Sequence, residues 1–242
     1  MSTPIYYSAI YTINRSKKVA SKVCIDGYNC NFLPKTIKLN EMANLVANMQ
    51  KICFKDDNEN NENSDRLQDL FVSKKDKTIA IALTLGYYED VTDYNDFVDG
   101  GSATIQMSNQ EGALSTQQPW LNEVCRSKRI SEQPPSPVQK TMSLIDKYIT
   151  DILMKKHAKV NGLYLYVEKS PEHGDPDFLL KYYNKYGFKE FLLGDNEDDD
   201  YYYMKKMFLE NSPSLRKTKS RTKSKSPSKT RKIKSTVKAY TI

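Results

Sequence analysis

The stretch from Ser136 to Glu168 places the tightest constraint on the fold. Serine at 136 can accept a backbone N–H as N-cap, and proline at 137 suits the first helical position, where its missing N–H was unpaired anyway. Val138, Met142, Ile145, Ile149 and Ile152 then recur at spacings of three and four, which predicts a helix with one buried face. Gly162 ends the connection. The following LYLYVE (163–168) sets Leu/Leu/Val against Tyr/Tyr/Glu with the period of a half-buried strand. A long amphipathic helix feeding such a strand needs a sheet to cover, so the chain is expected to be α/β or α+β, built on one twisted sheet.

The remaining segments fit that architecture. Ile5 to Ile13 reads as a first strand. Leu39 to Phe54 reads as a helix, with Asn40 as N-cap and Leu39, Met42, Val46, Met49 and Cys53 on one face. Asp69–Ser73 and Thr78–Leu85 flank KKDK as an antiparallel hairpin, SATIQMS (102–108) reads as an edge strand, and Trp120–Cys125 as a short strand. Asp175-Pro176 repeats the helix-start pattern ahead of Phe178, Leu179, Tyr182, Tyr183 and Tyr186. Gly187 stands where a helix C-terminal glycine belongs. Phe188–Leu193 and Tyr201–Phe208 are expected to form a final strand pair.

Charge divides the chain. Residues 211–242 hold 11 basic side chains and no acid, so the net charge of +7 resolves into −4 on residues 1–210 and +11 on the rest. The Lys/Arg/Ser/Thr/Pro composition of 211–242 cannot bury a core, and the expected organisation is a folded domain over 1–210 with a disordered basic tail over 211–242. The tail suits non-specific nucleic-acid binding, a nuclear-localisation segment, or a fold back onto the acidic loops. Those loops, 56–65, 87–101 and 195–200, hold 15 of the 30 acidic residues. The longest mostly apolar stretch, Thr78–Leu85, is far too short to span a membrane, and the first residues lack the pattern of a secretory signal. Four cysteines without a CxxC pair suggest reduced thiols in a cytoplasmic or nuclear protein, and two histidines make a histidine-rich metal site improbable. Glu172-His173-Gly174-Asp175 is better read as a loop ending in a helix cap than as a metal set.

FLLKYYNKYGF (178–188), followed by YYMKK (202–206), resembles the last third of the GCN5-related N-acetyltransferases, in which a helix ending in a Gly-Phe pair leads into two final strands. DLFVSKKDKTIAIALTL resembles that family's central hairpin, and LNEVCR its fourth strand. The resemblance runs from Arg66 to Phe208 and implies a mixed, mostly antiparallel twisted sheet flanked by helices. It also implies acetyl-CoA as co-substrate and an amine acceptor: a lysine, a basic peptide, a polyamine or a small amine. The alternative is an inactive scaffold of the same fold whose tail binds nucleic acid. The composition, rich in Asn, Lys and Tyr, resembles divergent family members of large DNA viruses.

The resemblance also implies roles for particular residues. The cofactor's amide arm would lie along the backbone of Glu123, Val124 and Cys125, where the fourth strand splays from the fifth. Its pyrophosphate would meet the helix start, with Arg126, Gln139, Lys140 and Thr141 as binding residues. The family's glycine-rich cofactor loop is replaced by SKRISEQPPSPVQKTMS, with no glycine between Gly112 and Gly162, and Ala80 replaces a glycine common in the third strand. Tyr183 matches a tyrosine that protonates the leaving thiolate, or else packs the helix on the sheet. Glu123 matches a carboxylate that deprotonates the amine through water, or else is a solvent-facing strand residue. A backbone N–H of Val124 or Cys125 would polarise the carbonyl, with the Cys125 side chain a packing residue.

Overall fold

The computed structural model describes residues 4–53, 71, 73, 77–110, 112–126, 136–169, 175–193 and 200–208. Nine strands make one sheet: β1 (Ile5–Asn14), β2 (Val19–Val23), β3 (Thr36–Lys38), β4 (Thr78–Tyr87), β5 (Asp99–Ser108), β6 (Gln118–Arg126), β7 (Gly162–Glu168), β8 (Lys189–Glu190) and β9 (Tyr201–Met207). Their spatial order is β3-β2-β1-β4-β5-β6-β7-β9-β8. Every neighbouring pair is antiparallel except β6 and β7. Among the described residues these helices accompany them: α1 (Leu39–Cys53), α2 (Pro137–Tyr148), the single turn α3 (Met154–Lys156) and α4 (Pro176–Asn184). The expected fold class holds: a mixed, mostly antiparallel sheet flanked by helices.

The two faces of the sheet carry separate cores. On one, α1 brings Leu39, Met42, Leu45 and Met49 against Tyr11, Leu83 and Leu85. On the other, α2 brings Val138, Met142, Leu144 and Ile145 against Ile10, Ala82, Ala103 and Ile105. Burying each of the larger aliphatic side chains contributes about 1.5–3 kcal/mol. Strand β4 reads as a near-continuous apolar run because helices cover both of its faces.

Several expectations are corrected. The hairpin around KKDK does not form: β4 is paired on one edge with β1 and on the other with β5, and Phe71 is helical. SATIQMS belongs to β5, an interior strand between β4 and β6. Strands β2 and β3, absent from the sequence reading, extend the sheet beyond β1. Asn40 is not an N-cap, because β3 runs directly into α1 and the Leu39 N–H donates to the Lys18 carbonyl (3.0 Å). A π-helical segment, Ile149–Leu153, joins α2 to α3 and turns the buried face from Ile152 to Leu153. The strand expected over Phe188–Leu193 shortens to β8.

The cysteines also depart from expectation. Cys24 and Cys30 form a disulfide, and Cys125 is disulfide-bonded as well. The intervening IDGYN folds into a tight loop that brings the Cys24 and Cys30 Cα atoms to 5.8 Å, within bridging range. Gly27 sits there at φ +87°, a conformation that side chains other than glycine rarely adopt. The acidic loops at 56–65 and 195–199 and the basic segment 211–242 lie outside the described residues, as do Glu172, His173 and Gly174. Among the described residues no helix is long and apolar enough to cross a membrane, and no His/Cys/Asp/Glu group could hold a metal.

Candidate functional site

Strands β6 and β7 run parallel but share a single register pair, Trp120 with Tyr164. Beyond it no further register pair joins β6 to β7 among the described residues, while β7 is paired with β9 on its other edge from Gly162 to Glu168. A β-bulge marks the parting. Ser102 of β5 faces Cys125 and Thr104 faces Asn122, so Glu123 and Val124 together oppose Ala103. A bulge of this kind leaves one residue out of the ladder and bends its strand. The edge of β6 from Asn122 to Arg126 therefore has N–H and C=O groups that no β7 register pair takes up among the described residues. Val124 packs against the core on the α2 face, and Cys125 is buried against the α1 face. The side chains of Glu123 and Arg126 lie outside the described residues.

The start of α2 is arranged differently. Ser136 and Gln139 form a capping box: the Gln139 side chain accepts the Ser136 N–H (2.8 Å), and the Ser136 hydroxyl accepts the Gln139 N–H (3.4 Å). Pro137 has no N–H to offer. Thr141 is fully buried, and its hydroxyl is shared between the Gly101 and Pro137 carbonyls (3.2 and 2.9 Å). The first turn rests directly on β5. A Cβ at Gly101 would lie 2.9 Å from the Val138 nitrogen and 3.0 Å from the Pro137 carbonyl carbon. The glycine that the cofactor loop lacks is thus present in the neighbouring strand, where it lets the helix sit down on the sheet. Among the described residues the helix start uses the Ser136 and Gln139 N–H groups in its own capping box and has none at Pro137, which leaves few donors there for a pyrophosphate. The open β6 edge does fit a chain of amides, which can pair along it as an added strand would.

Lys140 and Gln139 face a groove of about 740 Å³ over the outer side of α2. Its walls are Tyr6 and Ser8 of β1, Gly27, Tyr28 and Asn29 of the disulfide loop, Ser143 of α2, and Tyr186 just beyond α4. The Lys140 ammonium lies 4.4 Å above the Tyr6 ring, and burial lowers its pKa from the usual lysine value. Tyr6 donates to the buried Asp99 carboxylate (2.7 Å), whose other oxygen accepts the Gly100 N–H (2.9 Å). The Tyr28 phenol is also raised by burial.

Tyr183 is half-buried on α4, with its ring 5.9 Å from Phe188 and 5.4 Å from Tyr182. Burial first, and the neighbouring Tyr186 second, push its pKa up to about 12. Its hydroxyl has no hydrogen-bond partner among the described residues. A phenol in that condition keeps its proton throughout the neutral range.

The expected site residues thus fall into two groups. Val124 and Cys125 supply the backbone of the β6 edge, whereas Gln139 and Lys140 line the groove and Thr141 is locked into packing. Sequence reasoning missed Tyr6, Ser8, Tyr28, Asn29, Asp99, Gly101 and Tyr186. Two signals pointed to part of this set: a Gly-Gly pair entering a strand, and two cysteines six residues apart around an Asp-Gly turn.

No protein-family profile and no curated protein matches the chain. Solved structures do resemble it at a distance. PH1933 from Pyrococcus horikoshii OT3 has 16% identity and a TM-score of 0.43, covering 74% of this chain and 97% of that one. ElaA of Escherichia coli has 14% identity and a TM-score of 0.40, covering 84% and 99%. An aminoglycoside 6'-acetyltransferase type Ii has 11% identity and a TM-score of 0.36, covering 68% and 88%. At these values the fold assignment rests on the chain's own strand order, register and single parallel contact.

Proposed function

We propose that the chain is an N-acetyltransferase of the GCN5-related type, with its acetyltransferase domain in residues 1–210 and a basic tail in 211–242. The observation that carries this reading is the bulged β6 edge, which opens beside β7 after one parallel register pair. Acetyl-CoA would supply an activated acetyl group as a thioester. Backbone groups of Glu123, Val124 and Cys125 hold and orient the amide arm along β6, and a Val124 or Cys125 N–H polarises the reacting carbonyl. The Tyr183 hydroxyl, protonated at neutral pH, donates its proton to the departing thiolate sulfur. Glu123 takes the proton of the attacking amine through water. A cationic acceptor, such as a lysine side chain, a basic peptide or a polyamine, is favoured by the acidic loops.

Calorimetric titration of the full chain with acetyl-CoA, paired with thiol release in the presence of lysine peptides and polyamines, tests the reading. Saturable binding and amine-dependent thiol release support it; no response to acetyl-CoA or CoA sinks it.

The internally capped start of α2 favours a second reading, a catalytically silent scaffold whose tail binds nucleic acid. Salt-sensitive DNA binding that is lost on deletion of 211–242, together with silence toward CoA, is its signature.

A further inference from the structure

We propose that the Cys24–Cys30 loop is a wall of the cofactor site, and that the phosphate-bearing nucleotide end of acetyl-CoA lies in the groove against Lys140, Gln139 and Asn29 instead of on the start of α2. The proposal rests on the acetyl-CoA reading above. Among the described donors at the helix start, the Ser136 and Gln139 N–H groups are committed to the capping box and the Thr141 hydroxyl to two carbonyls. The groove has the opposite character. Among the described lining residues Lys140 carries the only formal charge, and no carboxylate is among them. The Gln139 and Asn29 amides border the same space. Tyr28 and Tyr186 contribute aromatic side chains to its walls, the residue type on which bases stack. Its volume falls within the roughly 300–1,000 Å³ of small-molecule sites.

The loop is also held in place before any ligand arrives. Besides the disulfide, the Ser8 N–H donates to the Asn29 carbonyl (2.7 Å), and the Tyr28 N–H donates to the Ile25 carbonyl (3.0 Å). The Lys147 ammonium donates to the Asp26 carbonyl (2.9 Å) and sits 5.7 Å from the Tyr28 ring. A wall fixed at this many points loses little freedom on binding, which is how preorganisation raises affinity.

The test uses two probes on the full chain: acetyl-CoA, and S-acetylpantetheine, which carries the same acetylated arm without the nucleotide. Dissociation constants are measured by calorimetry for the wild type, for Lys140→Gln, and for the double variant Cys24→Ser/Cys30→Ser, with melting temperatures recorded alongside. Each variant is expected to weaken acetyl-CoA about tenfold while leaving the weaker S-acetylpantetheine binding unchanged, a selective loss that misfolding does not produce. Wild-type binding of acetyl-CoA with both variants unaffected overturns the groove and its wall but leaves the acetyltransferase reading standing. Equal loss of both probes overturns it too, since the change then acts on the whole site. A wild type that binds neither probe overturns the acetyltransferase reading and the groove together.

Discussion

The two places where an acetyl-CoA molecule would meet this chain are built in opposite ways. At β6 a bulge and an early parting from β7 leave a backbone edge open. At the start of α2, a few residues further along the chain, a capping box, a proline and a close-packed strand leave almost nothing open. An open strand edge is ordinarily a liability that proteins cover, so its survival beside β7 suits an incoming strand-like ligand. A helix N-terminus is ordinarily a ready anion site, so closing it moves any phosphate-binding role elsewhere. Under the proposed acetyl-CoA reading, the contrast gives the arm and the nucleotide different physical devices: backbone pairing for the first, a lysine-bearing groove for the second.

The largest expected effect concerns the open end. Tyr183→Phe should lower kcat roughly 100-fold, the lower end of what a positioned proton donor contributes. The acetyl-CoA dissociation constant and the melting temperature should stay near wild type, because the hydroxyl has no partner to lose among the described residues. If stability falls together with the rate, the tyrosine acts through its packing on Phe188 instead.

At the closed end, Gly101→Val adds atoms that meet helix backbone at 2.9 to 3.0 Å, and the helix must lift. Urea unfolding should show a loss of about 1–3 kcal/mol, the usual cost of overpacking. A smaller change, Ser136→Ala, removes half of the capping box and should cost about 1 kcal/mol. Affinity for acetyl-CoA should not move if, as proposed, the phosphate is held in the groove and not at the helix start. A threefold or greater shift in affinity would mean that the helix start takes part in binding and would erase the contrast.

The smallest effect is a pH dependence. Burial raises the phenols of Tyr11, Tyr87, Tyr148 and Tyr183, the last two to about 12. Between the unfolded value near 10 and these folded values, the unfolded chain has already released protons that the folded chain retains, so stability falls as pH rises. Denaturant midpoints should be flat with respect to these groups from pH 8 to about 9.5 and decline above about pH 10.

Periodicity and cap chemistry made much of this fold legible. The Ser136-Pro137 start, its buried face as far as Ile149, the LYLYVE strand and the Asp175-Pro176 helix all form where local pattern puts them. Local pattern failed where partners at long sequence distance decide. Nothing in TIAIALTL tells that its neighbours are β1 and β5 and not the segment before KKDK. Nor does SATIQMS reveal that it is interior. The π-helical turn after Tyr148 shifts the buried face by one residue, a change that a strict 3.6-residue period cannot anticipate. The site was legible in the same uneven way. Val124 and Cys125 could be placed through their strand, whereas the groove gathers residues from β1, the disulfide loop, α2 and the turn after α4. Only folding brings those four segments together, and the disulfide that steadies one of them ran against an expectation drawn from cysteine count alone.

Amide hydrogen exchange with and without acetyl-CoA reads both regions in one experiment. Peptides covering Asn122–Arg126 and Ile25–Cys30 should gain protection on binding, and the amides of Ser136 and Val138 should not change. Protection concentrated at the start of α2, or none at either of the first two segments, would contradict the division between an open strand edge and a closed helix start.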